Sequence, residues 1–190
     1  MTTEKVLKNI LWRPEQAFKP DQLEETFTQS LLSFIVLALL SSAIMTADRL
    51  PKLHILAKYP QLLNAPHLIA LASYGLVFLA ICIDVWVIGL LVKWIDREVS
   101  AKSLLAGILW ISVVAWPLGW VLHSLLFRWS GFVIVPYRLW LTTICVRSTT
   151  GLSTEGSFAV YLISLVVIGV AAVMVAILIS QIIFRNMGPP

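Results

Sequence analysis

Charge is what this 190-residue chain has least of: 13% of its residues are Asp, Glu, Lys or Arg, against 59% that are apolar. Soluble domains carry about 25% charged residues, so the deficit excludes a water-soluble enzyme of this size, a disordered chain and a collagen-like one. Cysteine is almost as sparse. Cys82 and Cys145 both fall inside apolar stretches, where a thiol serves as a small packing group, and a disulfide scaffold is excluded. No C-x-x-C or Cys/His spacing points to zinc or haem. No apolar stretch near the start reads as a signal peptide. H-E-x-x-H, G-x-S-x-G, a phosphate loop and a dinucleotide fingerprint are all missing, and no run of like charge suggests nucleic acid. The expectation is a non-enzymatic integral membrane protein that needs no cofactor and does not bind nucleic acid.

What is present is apolar sequence in long blocks. Residues 1–28 form a polar leader ahead of a transmembrane domain covering 29–190. Within the leader, Val6, Leu7, Ile10 and Leu11 recur at helical spacing among Lys5, Lys8 and Arg13. That pattern fits a short amphipathic helix in the headgroup layer with Trp12 as its anchor, or a solvated leader. Asp21-Gln-Leu-Glu24 reads as a capping box with Asp21 as the cap. Five apolar segments follow, at about 31–47, 68–92, 103–127, 131–146 and 157–184, judged against the roughly 20 residues that cross a bilayer core. The fourth is short, contains Pro136 and Arg138, and reads either as a spanning helix with a break or as a re-entrant segment. Residues 50–66 suit a surface helix, Ser100 an N-cap for the third span, and 147–156 a Ser/Thr/Gly loop. The expected fold is an all-α, multi-pass helical bundle of about five spans. Lys and Arg number eight on the leader side and five on the other, which favours a cytoplasmic N-terminus.

Two charges fall within apolar segments, and each costs several kcal/mol there unless paired or hydrated. Asp84 lies about 6 Å from the middle of its span by helical rise, and Arg138 lies near the middle of the fourth. They read as an intramembrane polar pair, which would either lock two helices together or open a polar gap for an ion, a proton or a lipid headgroup. Pro117 and Pro136 are candidate helix breaks, freeing the carbonyls of Val113 and Phe132; Ser112 stands ready to patch one of them. Trp116, Trp120 and His123 share a helix face, and His123 with His54 and His67 is a weak metal candidate set; no metal is expected. Trp12, Trp94 and Trp129 suit interfacial anchors. Ala38 with Ser42, and Ala172, Ala176 and Ser180, form small-residue lines for close helix contact, within the chain by default or with a partner.

Trp12-Arg-Pro14-Glu-Gln-Ala17-Phe18 resembles the opening Pro…Phe element of prokaryotic Yip-domain proteins, relatives of the Rab-GTPase-interacting membrane proteins. The 93–103 loop leading into a span with Pro117 is similar to that family's second loop and third span. Arg138-Leu-Trp140, followed by Gly151-Leu-Ser-Thr and a long last span, resembles its C-terminal third. The resemblance implies five spans, a cytoplasmic N-terminus and a membrane organiser or adaptor without a known catalytic site. Two departures stand out: Trp94-Ile-Asp-Arg-Glu98 replaces an expected glycine-rich turn, and an Arg inside the fourth span is unusual. The leading expectation is a scaffold, adaptor or accessory subunit whose partners are the lipid bilayer and other membrane proteins or itself. The second is a small transporter or channel subunit with a path past Asp84, Arg138 and Pro136. The third, a membrane enzyme, lacks a catalytic group.

Overall fold

The computed structural model describes residues 3–48, 66–126 and 129–187. The leader forms three short helices: α1 (Thr3–Trp12), α2 (Pro14–Ala17) and α3 (Pro20–Glu25). Both leader prolines occupy the first helical turn, where a missing N–H costs nothing. Five long helices follow: α4 (Phe27–Asp48), α5 (Pro66–Trp94), α6 (Ala101–Leu126), α7 (Ser130–Thr150) and α8 (Thr154–Met187). The 50–66 surface helix expected from the sequence falls almost wholly outside the described residues. No strand occurs among them.

By length and composition, Tyr74–Trp94, Ala101–Leu122 and Thr154–Met174 are each sufficient to cross a membrane, and Phe27–Ser41 is a shorter apolar helix. The fold is therefore a helical membrane bundle. The fourth segment is a single helix of 21 residues that continues through Pro136, so it does not reverse as a re-entrant segment would, and α6 likewise continues through Pro117. Neither proline ends its helix: each removes one backbone bond, and the helical turns resume on its far side. Ser112 does not act as the patch; its hydroxyl donates to the Ile108 carbonyl at 3.0 Å.

Helix ends follow local chemistry. Asp21 is not the cap of α3: Lys19 holds that position without a side-chain bond and Pro20 starts the helix. Ser100 does cap α6, its Oγ accepting the Ser103 N–H. After α5, Asp96 takes a left-handed φ of 55°. The Arg97 N–H then bonds the Val92 carbonyl and the Asp96 N–H bonds that of Lys93, the Schellman pattern. The helix end falls inside the stretch that replaces the glycine-rich turn, and Asp is one of the few residues that tolerate this backbone. The 147–156 loop is shorter than its composition implies. Helix α7 runs to Thr150 because the Thr149 and Thr150 hydroxyls donate back to the carbonyls of Cys145 and Val146, and Gly151, at φ 68°, ends it.

Among the described residues, the core gathers toward the end of the bundle that carries the leader. Val6, Ile10, Phe18 and Leu23 of the leader join Ile88, Val92, Leu104, Trp110, Leu141 and Val146 in one buried cluster. The amphipathic helix of the sequence reading thus exists, and its inner face is buried in the protein. Glu24 Oε1 accepts from Ser100 Oγ, and from Ser103 Oγ at 3.1 Å. Those two hydroxyls first, and Lys102 to a lesser degree, hold its carboxyl below the usual carboxylate value. Arg147 meets Glu15 at 3.3 Å on the exposed surface. Trp12, Trp94 and Trp129 all face outward, as anchors do.

Candidate functional site

Helices α5, α7 and α8 bring their polar residues to one depth. Asp84 is ten residues from Trp94, Ser164 ten from Thr154 and Arg138 twelve from Thr150. At 1.5 Å per residue each lies about 15–18 Å from the leader end, near the midplane of a bilayer core about 30 Å thick. Ser164 was not anticipated. It is one of the few polar residues in an otherwise apolar last span, and that was its only signal in the sequence. Its Oγ donates to Asp84 Oδ1 at 2.8 Å.

Asp84 and Arg138 line one pocket of about 470 Å³ together with Tyr161 and apolar side chains including Ile81 and Ile134. The structure brings the two charges to the same pocket but not into a direct ion pair: the carboxylate takes its hydrogen bond from Ser164. Arg138 remains within electrostatic reach of both Asp84 and Tyr161. The volume is sufficient for water to bridge the charges. Ser164 Oγ also lies 2.8 Å from the Tyr161 carbonyl, and a hydroxyl has one hydrogen for two acceptors. The hydroxyl donates to an ionised Asp84; alternatively it donates to Tyr161 while a protonated Asp84 donates to it. The geometry accommodates both states.

Pro136 is not part of this pocket. It lines a separate apolar depression with Trp140, Thr143 and Phe158. Pro117 is half-buried within α6, and Trp116 beside it stacks with Phe34 and Tyr74 at 5.2 and 5.3 Å. Of the small-residue lines, Ala38 is buried, at 7% exposure, while Ala172 is exposed. Ser42, Ala176 and Ser180 lie outside the residues whose side chains are described, as do His54, His67 and His123. Among the described residues no three His, Cys, Asp or Glu converge as a metal site.

Sequence reasoning missed one close approach. Gly107 of α6 meets Cys145 of α7 so tightly that a Cβ at Gly107 would collide with the cysteine sulfur, with Leu23 of the leader beside them. The signal was a glycine in a span facing a thiol in another, which the sequence cannot pair.

Long apolar helices around a half-buried polar cluster, with an amphipathic leader folded onto one end, define an integral membrane protein. The family model described as the Yip1 domain matches residues 8–177. The chain belongs to that family. No curated protein matches it, and no solved structure does.

Proposed function

We propose that the chain is a non-enzymatic scaffold or accessory subunit that assembles with other membrane proteins or with itself, its leader end facing the cytoplasm. The observation that carries this reading is the second half of α8. Beyond Ser164 the helix buries none of its described side chains: Val166, Val170, Val173, Met174 and Ile177 are all exposed, and Ala172 with them. A helix apolar on every side requires apolar surroundings. With Gly169 and Ala172 along it, a second helix can approach closely without a hydrophobic driving force. Family membership agrees with a membrane protein of this kind, and the leader gives it a fixed surface outside the bilayer. Native mass spectrometry of protein gently extracted from its own membrane tests the proposal. A defined hetero- or homo-oligomer that Ala172→Trp breaks apart supports it. A lipid-bound monomer at all concentrations overturns it.

A second reading rests on the Asp84 pocket. A carboxylate and a guanidinium held near the midplane without direct pairing suit a small transporter or channel subunit. In liposomes, Asp84→Asn would leave the fold intact and abolish a proton or ion flux; the absence of flux through the wild type removes this reading.

A further inference from the structure

We infer that the outer face of α1 is a binding site for the phosphate of an anionic phospholipid headgroup. Lys5, Lys8, Asn9 and Trp12 recur at spacings of three and four, and so share one side of the helix. With Arg13, just past its end, they surround a concavity of about 430 Å³. The opposite side of α1 is anchored: Val6 and Ile10 are buried in the core. The basic face is therefore held in a fixed orientation by packing rather than presented by a loose tail.

The end of the bundle that carries this face is not generally basic. Counting the chain segments placed there, eight cations meet eight acids, so α1 is a local segregation of charge. Two of the nearby acids have other work, and Glu4, in the first turn of α1, forms no ion pair among the described residues. Glu15 pairs with Arg147, and Glu24 accepts from Ser100 and Ser103. None of Lys5, Lys8 and Arg13 forms an ion pair among the described residues. Three unpaired cations and an amide around one concavity are complementary to a phosphate, with donors for its oxygens.

The neighbouring apolar groups select a lipid over a soluble anion. Trp12 is 78% exposed and Leu11 49% at the last turn of the helix. An indole beside lysines at a bundle end is a side chain suited to headgroup level, and Leu11 supplies an acyl contact. Basic residues close to an anionic membrane surface add their attractions. This inference does not depend on the scaffold reading.

The test uses the full chain in nanodiscs of phosphatidylcholine with phosphatidylglycerol, and native mass spectrometry reads the retained lipid. The expected result is selective retention of phosphatidylglycerol that falls at least about tenfold in the variant Lys5→Gln/Lys8→Gln/Arg13→Gln. The charge-matched control Lys19→Gln/Lys93→Gln/Arg97→Gln should retain the lipid. Because the altered side chains are exposed, thermal melts of the variants should match the wild type; if the triple variant fails to fold, Lys8→Gln alone should give a partial loss. Equal losses in both triple variants, or no loss in the first, overturn the site. Inorganic phosphate, compared with chloride at the same ionic strength, separates the sources. Lipid that holds against phosphate supports a headgroup site, and displacement by phosphate overturns the lipid assignment in favour of a soluble phosphate group.

Discussion

The Trp110 indole donates to Thr26 Oγ1 at 3.3 Å, tying the largest fully buried side chain of the bundle to the joint where the leader becomes the first long helix. Thr26 Oγ1 in turn donates to the Gln22 carbonyl at 2.8 Å, so one hydroxyl closes α3 and accepts from α6. Removing the indole donor with Trp110→Phe should lower stability by about 0.5–1.5 kcal/mol for the bond, plus a packing loss. Thr26→Val in the Trp110→Phe background should then cost less than in the wild type, which a double-mutant cycle of thermal melts in detergent would show.

Gly107 and Cys145 set how closely α6 and α7 approach. Gly107→Ala should destabilise the bundle by about 1–3 kcal/mol through overpacking. Cys145→Ala, which removes the opposing sulfur, should recover most of that loss. If Gly107→Ala melts like the wild type, the two helices have room to part and the close approach does not limit their packing.

The attachment of the leader through Glu24 depends on pH in a defined direction. Its carboxyl titrates below the ordinary value when folded, because the Ser100 and Ser103 hydroxyls donate to it. The stabilisation is complete above the unfolded value, about 4.3, and is lost as pH falls through the lowered folded value. Hydrogen exchange of α1–α3 should accelerate, relative to the intrinsic rate, only in that acid range, and Glu24→Gln should remove the acid step.

Asp96 holds a backbone conformation that glycine adopts freely. Asp96→Gly should raise the melting temperature, since a left-handed residue with a Cβ costs about 1–2 kcal/mol, offset in part by the entropy glycine adds to the unfolded chain. Asp96→Val should lower it.

For the polar pocket, the hydrogen bond to Ser164 predicts an order of severity. Asp84→Asn keeps an acceptor oxygen for that hydroxyl and should be milder in thermal melts than Asp84→Leu. Exchanging the charges, Asp84→Arg with Arg138→Asp, should not restore stability, because the structure has no direct ion pair to rebuild. Full recovery in the exchange variant would count against the geometry.

Most of the bundle was legible because apolar length is a one-dimensional property: the existence and order of five long helices follow from runs of Leu, Ile and Val, with ends placed to within about four residues. The Ser100 cap and the helical leader were legible for the same reason, since both are written in adjacent residues. What escaped was pairing across helices. Asp84 faces Ser164, eighty positions away, rather than the opposite charge that electrostatics alone would select. Gly107 faces Cys145 for reasons of volume, which leave no pattern in either segment. The loop at 147–156 was misjudged because Ser and Thr read as loop formers by composition, yet inside a packed bundle their hydroxyls bond the preceding turn and prolong the helix.

The seat of the leader also sets an order of events during synthesis. Phe18 and Leu23 are buried with Leu104 and Trp110, so the leader cannot reach its place until about eighty more residues have left the ribosome. At about 5–20 residues per second that is a wait of roughly 4–16 s with the apolar face of α1 uncovered. During it α4 and α5 must go out and return, so that the start of α6 arrives on the side where the leader waits. An error in that first hairpin would strand the leader across the membrane from its seat. Docking of the leader thus reports that the first two crossings were made correctly.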